Sequence, residues 1–258
     1  MSTSKNHLVA GKAVYGNWVS KRFIFLPLIV SLIFLVTSIF VPLLLIGTAL
    51  FACISIYFAY ARYLFSPQGG NIQEHIQAFV LKYLDWEGEG IMLDIGCGSA
   101  ALTIAIAKKF DQVDLVGVDD WGEKWEYSQE LCQKNAEIDG VAVRVKFMKA
   151  SAAKLIFPDE SFDAVVSNLV FHEVKDVKDK KVLIKEALRV LKKGGIFVFQ
   201  DLFLWKQIYG SPDELIATIR SWGVEKVELI NTSNAAFIPK MLKLPFMVGT
   251  MGLIVGRK

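Results

Sequence analysis

Cysteine and histidine are scarce: three of each in 258 residues leave little material for a disulfide framework or a metal centre. Cys53, Cys97 and Cys132 show no C-x-x-C spacing, so the zinc-ribbon and dithiol patterns are excluded and three free thiols in a reducing compartment are expected. No metal site is expected. Acidic residues are absent from residues 1–62, which hold only Lys5, Lys12, Lys21, Arg22 and Arg62 as charges. The other 24 of the 29 basic residues face all 26 acidic ones, a net charge of −2, so the chain's overall +3 belongs to its N-terminal part and no nucleic-acid surface is expected. There is no internal repeat, and the only compositionally biased stretch is apolar.

That stretch is residues 23–61, which are 39 residues without a charge, between Lys21-Arg22 and Arg62. As a single straight helix it would measure about 58 Å, roughly twice the hydrocarbon thickness of a bilayer. Pro42 lies near its middle and disfavours helix at Val41, which predicts a turn between two spans over 23–40 and 43–61. The flanking cations place both ends of this transmembrane hairpin on the cytoplasmic side. A cleaved signal peptide is a poorer reading, despite Ala59-Tyr60-Ala61, because its apolar core would be much shorter. A helix pair buried in a soluble core would show a polar face, and none is visible. A single span plus an interfacial helix is the remaining alternative.

Ser66-Pro67-Gln68-Gly69-Gly70 reads as the end of a linker over 63–70. Beyond it Asn71 and Glu74 fit a capping box ahead of Ile72, Ile76, Phe79, Val80 and Tyr83 at helical spacing. Short β-branched runs at 91–95, 113–119, 143–149, 163–169 and 196–200 then alternate with helical patterns at 101–110, 121–139 and 180–191. This alternation predicts βαβ units around a mainly parallel sheet. A further helix is expected from Pro212, capped by Ser211 with Glu214 and stopped by Gly223. Strand candidates at 224–230 and 249–256 have no convincing helix between them and would pair antiparallel. The broken apolar stretch 235–247 is open to three readings: core, a substrate lid or a surface touching lipid. The lysines at 175, 178, 180 and 181 read as a solvated loop and helix start.

The strand 91–95 runs into Gly96-Cys97-Gly98 and then into a helix, so backbone N–H groups at the helix start would face a ligand. The same stretch scans as G-x-G-x-x-A, with Asp119 lying 21 residues beyond Gly98, which is also how a nicotinamide-dinucleotide site is spaced. Charge separates the two cofactors. Asp94, just before the first glycine, would repel a pyrophosphate but attract an ammonium and a sulfonium, as S-adenosylmethionine carries. Asp119 at the end of the second strand suits paired ribose hydroxyls with either cofactor. The bland alternatives are a simple strand-end turn and a helix N-terminal acid.

Asp94-Ile95-Gly96-Cys97-Gly98, Val116-Gly117-Val118-Asp119, Phe162-Asp163-Ala164-Val165-Val166-Ser167-Asn168 and the run Glu186 to Gly195 together resemble the class I S-adenosylmethionine-dependent methyltransferases. The likeness is to their small-molecule branch, which includes quinone-biosynthesis enzymes, and covers residues 70–258 without the apolar segment. It implies an α/β fold: a Rossmann-like seven-stranded, mostly parallel sheet with the last strand antiparallel, here preceded by the transmembrane hairpin. The implied division is a basic cytoplasmic segment at 1–22, the hairpin at 23–62, the linker and a methyltransferase domain at 71–258. The resemblance also implies that Asp94, Gly96, Cys97 and Gly98 hold the methionine part of the cofactor. Asp119 would hold the ribose, with Asp120 and Trp121 near the adenine. Ser151 and Ala152 stand where the family commonly has an acid reading the adenine amino group, and Ala100 stands where a third glycine is usual. Asn168 ends the fourth strand, and His172 in Phe171-His172-Glu173 is the candidate general base, against the plainer reading of a locally packed histidine.

The expected function is a membrane-anchored methyltransferase acting on a small or lipophilic acceptor, with a cytoplasmic catalytic domain. The alternatives are a non-catalytic protein that binds the cofactor and a nicotinamide-dependent oxidoreductase.

Overall fold

In a computed structural model of the chain, residues 11–122 and 127–258 are described. The described residues divide into two compact units, residues 17–76 and a body formed by those from 77 onward together with residues 11–16.

The smaller unit holds two helices, α1 (Arg22–Thr37) and α2 (Leu44–Phe65), joined by turns over 38–43. The turn falls where Pro42 places it, and one helix face packs on the other through polar as well as aromatic contacts. Ser31 Oγ donates to the Thr48 carbonyl and Ser55 Oγ to the Ile24 carbonyl, each at 2.9 Å, and both serines are buried between the helices. Phe23 stacks on Phe58 at 5.1 Å, and Phe34 occupies the space that a side chain at Gly47 would need. Most other side chains of the pair are apolar and exposed, Ile39 and Phe40 the most fully. The two helices do not match the expected spans. At 22 residues α2 is long and apolar enough to cross a membrane, judged by length and composition alone, whereas α1 ends at Thr37 after 16 residues. That gives α1 a length of about 24 Å, short of the roughly 30 Å hydrocarbon core. The hydrogen bonds of Thr37 and Ser38 back to carbonyls three and four residues earlier mark where the first helix turns off.

The body contains a seven-stranded sheet in the order β3-β2-β1-β4-β5-β7-β6. Its strands are β1 (Gly90–Ile95), β2 (Val113–Asp119), β3 (Val145–Lys149), β4 (Phe162–Asn168), β5 (Leu191–Asp201), β6 (Lys226–Asn231) and β7 (Gly252–Arg257). Strands β1 to β5 pair in parallel, and β7 runs antiparallel between β5 and β6. The helices are α3 (Ile72–Tyr83), which begins in the smaller unit, then α4 (Ala101–Lys109), α5 (Gln129–Ile138), α6 (Lys181–Val190), the short α7 (Lys206–Tyr209) and α8 (Pro212–Ser221). Successive strand side chains point to opposite faces. Thus Leu93, Val165, Phe197 and Phe199 pack with Leu183, Ile184, Leu215 and Ile219 on one face. Met92, Ala164, Val166 and Val198 pack with Ile104, Ile106, Cys132 and Ala136 on the other. Burial on both faces is why these strands read as unbroken apolar runs.

Several boundaries differ from expectation. The helix predicted over 121–139 begins only at Gln129, where Ser128 Oγ accepts from the Leu131 N–H at 3.2 Å; residues 123–126 of that prediction lie outside the described residues. A 3-10 turn at Ala142–Arg144 takes the first residues of the predicted third strand. Strand β5 starts at Leu191, five residues early, because the Gly194-Gly195 stretch is held as strand by hydrogen bonds with Lys258. The Asn71 amide meets the Glu74 carboxylate, but Asn71 itself is left-handed at φ +48°.

One side chain fixes the long β3–β4 connection. Arg189 on α6 donates to the Phe157 and Leu155 carbonyls, to Asp159 and twice to Glu186, whose carboxylate also accepts from the Leu155 N–H. Replacing Arg189 by Ala is expected to lower unfolding free energy by about 1–3 kcal/mol, the usual worth of charge-assisted hydrogen bonds. In urea denaturation the double variant with Glu186→Ala should lose less than the sum of the single variants, because one network is being removed twice.

Candidate functional site

The carboxyl ends of β1, β2 and β4 meet at one edge of the sheet, where open α/β sheets bind ligands. The predicted cofactor residues converge there. Gly96 follows β1 at φ +75°, and its N–H and that of Cys97 both donate to the Val118 carbonyl, at 2.7 and 3.0 Å. A Cβ at Gly96 would sit 2.1 Å from the Val170 side chain, so the close approach of these two loops requires glycine. Gly98 is left-handed at φ +56°, and Ala100 adopts φ +67°, so the residue standing in for the usual third glycine takes up the left-handed conformation itself. Such a residue costs on the order of 1 kcal/mol or more, and it persists here under complete burial.

Asp119 is the centre of the arrangement. Its Oδ2 accepts from the Gly98 N–H at 2.9 Å and its Oδ1 from the Trp121 N–H at 2.7 Å. Trp121 closes the ring by donating from Nε1 to the Gly98 carbonyl at 2.9 Å. Burial raises the Asp119 pKa, the two N–H donors pull it down, and the neighbouring Asp120 charge raises it; the outcome is a raised value. A carboxylate has about four lone-pair sites, so two remain for ligand hydroxyls after these bonds. Asp120 is exposed beside it. The Ala150 N–H donates to the Asp119 carbonyl at 3.0 Å, which brings Ser151 and Ala152 to the same edge, Ser151 exposed and Ala152 buried.

Asp94 lies beneath the loop, at the end of β1. It is 1% exposed, its Oδ2 accepting from Thr103 Oγ1 at 2.6 Å. Burial pushes its pKa up to about 7, with Thr103 opposing and the Asp119 charge adding to the rise. Asp94 therefore acts on the loop from beneath, as a charge and as the tie between β1 and α4. Asn168 ends β4 next to Gly96, and its Oδ1 is buried without a hydrogen-bond partner among the described residues. An orphaned acceptor beside a glycine turn, with two carboxylates close by, fits a cationic, donor-rich ligand such as an ammonium group. Cys97 and Cys132 are both buried, and Cys132 Sγ donates to the Gly98 carbonyl at 3.0 Å. Burial and the adjacent Cys132 push the Cys97 thiol up, keeping it protonated and unreactive.

Three supporting groups were not legible in the sequence. The segment ending at Gly16 lies across the loop's outer side: Val14 exchanges two hydrogen bonds with the Asn135 side chain, and the Tyr15 carbonyl accepts from Ser99 Oγ at 2.8 Å. Asn135 also donates to the Ser99 carbonyl, and the Tyr15 hydroxyl reaches Asp139. An isolated Tyr and Asn far apart in the chain carry no pattern that would announce this contact. Thr103 follows Asp94 by nine residues with nothing to mark it, and Asp201 ends β5 29 residues from the histidine it pairs with.

Asp201 changes the reading of His172. The His172 Nδ1 lies 2.7 Å from Asp201 Oδ1, its Nε2 lies 3.4 Å from Glu173 Oε1, and its backbone N–H donates to Asp201 Oδ2. Asp201 is fully buried, and the pair lowers its pKa despite that burial. Burial by itself would lower the His172 pKa, but the Asp201 charge and hydrogen bond, helped by Glu173, carry it up to about 10. The raised value favours the charged ring, with each of its nitrogens facing a carboxylate. A cavity of about 560 Å³ lined by Tyr83, Phe197, Arg220, Glu228 and Arg257 lies away from all of these groups, toward the amino end of β5.

Residues 93–199 match the methyltransferase domain family. The chain is 33% identical over 106 residues to the sterol 24-C-methyltransferase of Aspergillus fumigatus, covering 41% of this chain and 26% of that protein. It is 30% identical over 146 residues to the ubiquinone/menaquinone biosynthesis C-methyltransferase of Geotalea daltonii, covering 54% of this chain and 59% of that one. The chain thus spans between about a quarter and three fifths of these curated relatives. Among solved structures, geranyl diphosphate C-methyltransferase from Streptomyces coelicolor, a complex with S-adenosyl-L-homocysteine, superposes at a TM-score of 0.56 with 15% identity, covering 72% of this chain and 79% of that one. Residues 93–199 accordingly match a methyltransferase domain, on a fold shared with a structure that holds S-adenosyl-L-homocysteine.

Proposed function

We propose that the whole chain is a membrane-anchored methyltransferase that passes the methyl group of S-adenosylmethionine to a small, lipophilic acceptor of the quinone-precursor type, with its body on the cytoplasmic side. The observation that carries the methyl-transfer reading is the ring of Asp119, Gly98 and Trp121 around the glycine turn, with the orphaned Asn168 Oδ1 beside it. Asp119 would take the ribose hydroxyls, Asn168 and the loop backbone the methionine part, and Trp121 with Ser151 and Ala152 the adenine side. The bound cofactor supplies a methyl on a sulfonium, open to in-line displacement. The protein's own task is then to align the acceptor and exclude water. In this reading His172 is a positioning residue, its ion pair with Asp201 fixing the loop after β4 against the end of β5.

Three features support the lipophilic acceptor and the anchor. The two relatives carry names that specify a sterol and ubiquinone/menaquinone biosynthesis. Helix α2 has the length and composition of a span, and α1 packs on it through buried serine hydrogen bonds, as small polar residues do between membrane helices. The acid-free residues 1–62 favour a cytoplasmic position for both ends of the pair.

The direct test incubates the full chain with labelled S-adenosylmethionine and with membrane and soluble extracts. Label should pass to a solvent-extractable lipid of the membrane fraction. Asp119→Ala should weaken cofactor binding roughly tenfold to a hundredfold in calorimetry, as expected for lost charge-assisted bonds of about 1.5–3 kcal/mol. Normal cofactor binding with no transfer to any extract would instead indicate a non-catalytic binding protein.

Cofactor affinity should also depend on pH through Asp94. Its carboxyl is held near 7 by burial, so it favours the protonated form in the free protein and loses that contribution to stability as pH rises from about 4 through 7. A cationic ligand favours the ionised form. Affinity is therefore expected to strengthen by up to roughly tenfold between pH 6 and 8, and Asp94→Asn should flatten that slope. A slope unchanged in the variant would remove Asp94 from the account.

The His172 pair gives the opposite sign. Its contribution to stability is fully present below about pH 6.5 and is lost as pH rises through about 10. His172→Ala leaves the Asp201 charge buried and unpaired and should cost about 3–5 kcal/mol in denaturant unfolding, with Asp201→Asn in the same chain recovering part of it. Imidazole nitrogen NMR showing a neutral His172 at pH 8 would contradict the ion pair.

A further inference from the structure

The connection between β6 and β7, residues 232–251, leaves and rejoins the sheet at the site's edge. Asp201 and Asn231 both pair with Gly252, so its two ends lie beside the carboxyl end of β5. Gln200 Nε2 reaches Thr232 Oγ1 at 3.4 Å and Met251 Sδ at 3.1 Å, holding those ends to the strand that carries Asp201. The connection is folded upon itself. Ile238, Leu242 and Val248 are buried, the Val248 N–H donates to the Leu242 carbonyl, the Gly249 N–H to that of Leu244, and Thr250 Oγ1 to that of Pro245. A side chain at Gly249 would fall 2.2 Å from the Lys243 carbonyl, so the closure needs glycine.

With its inner residues spent on this closure, the loop turns Met241, Leu244 and Phe246 outward, 37%, 37% and 53% exposed, with Pro245 between the last two. The other exposed large apolar residues of the body are Val14, Ile91, Ile156 and Val182, each alone in sequence, and Val143 with Met148 five residues on; none of them forms a group of three. A cluster within six residues is different. It is also bordered by Lys240, exposed, and Lys243, neither in an ion pair among the described residues. No Asp or Glu occurs in the sequence after Glu228. Apolar side chains rimmed by unopposed lysines are complementary to a bilayer surface with anionic headgroups, the side chains entering the acyl boundary and the ammonium groups meeting the phosphates.

We propose that the loop 239–247 is a membrane-contacting surface of the methyltransferase body, separate from the two apolar helices, which rests the mouth of the site on an anionic bilayer. It rests on the reading that the acceptor is dissolved in a membrane and gives that acceptor a path from the bilayer to the edge bearing Asn168 and Asp201.

The test uses the full chain with Cys53→Ser, the remaining Cys97 and Cys132 being buried. One environment-sensitive nitrobenzoxadiazole label is placed at Phe246→Cys and, in a second protein, at Val143→Cys, which is 98% exposed ahead of β3 at the opposite edge. Each is mixed with phosphatidylcholine vesicles, with and without phosphatidylglycerol, that carry a headgroup-level nitroxide. The label at 246 should shift to the blue and be quenched, more strongly with phosphatidylglycerol, and Lys240→Ser with Lys243→Ser should abolish that preference. The label at 143 should do neither. A label at 246 as wet and unquenched as that at 143 overturns the proposal. A blue shift that needs no lipid and grows with protein concentration also overturns it, assigning the surface to a second copy of the chain. Flotation of the same samples reads the anchor independently, since a chain lost from the vesicle layer speaks against the two helices whatever the label reports.

Discussion

The position of the Asp119 carboxylate is the constraint on which the site depends. A turn containing Gly96, Gly98 and a left-handed Ala100 has no intrinsic reason to hold one shape, and it is Asp119, accepting from Gly98 and Trp121, that pins it to the end of β2. The sheet in turn positions Asp119. The register of β1 and β2 sets Ile95 beside Val118, so the Val118 carbonyl meets the N–H groups of Gly96 and Cys97, and the next residue along is Asp119. A one-residue slip would turn every inward side chain of β2 outward, so the two-faced burial of that strand protects the loop geometry as well as the core. The same carboxylate keeps acceptor capacity for a ligand, which makes loop shape and ligand binding draw on one group.

Charge in the body is arranged by depth. Asp94 sits beneath the loop with a raised pKa, Asp119 at the rim retains two bonds, and Asp120 is exposed. Three acids along one edge would destabilise an empty site through mutual repulsion if all were ionised, and burial of Asp94 relieves that by leaving it partly protonated near neutral pH. A ligand carrying positive charge removes the reason for that protonation. On the other side of the site the logic reverses, because the His172 charge, helped by the Leu202 and His172 N–H groups, holds the fully buried Asp201 carboxyl low.

The fold was largely legible because its signals are local. The β-branched runs, the Gly96-Cys97-Gly98 turn and the Ser211–Glu214 box each depend on residues adjacent in sequence, and the box forms with Ser211 Oγ accepting from the Glu214 N–H. The places where reading failed depend on distant partners. The start of β5 is set by Lys258, 64 residues from Gly194, and Trp121, expected to open a helix, is drawn instead to Asp119 and Gly98. The partner of His172 is likewise distant: Asp201 lies 29 residues away, and no spacing rule joins the two. The clamp of Val14 and Tyr15 onto Ser99 and Asn135 is the extreme case, linking residues 121 apart through backbone atoms that have no sequence signature.

The apolar excess of the chain is also resolved by where it goes. In the body, apolar side chains are consumed by two clusters on the faces of one sheet, and the exposed remainder is scattered except at residues 241–246. In the helix pair, apolar side chains remain outside while Ser31 and Ser55 are turned inward, an inversion of the arrangement that water selects. Inward serines donating to carbonyls of the facing helix cost little where the surroundings offer no competing water, and they would be poor organisers of a pair immersed in it.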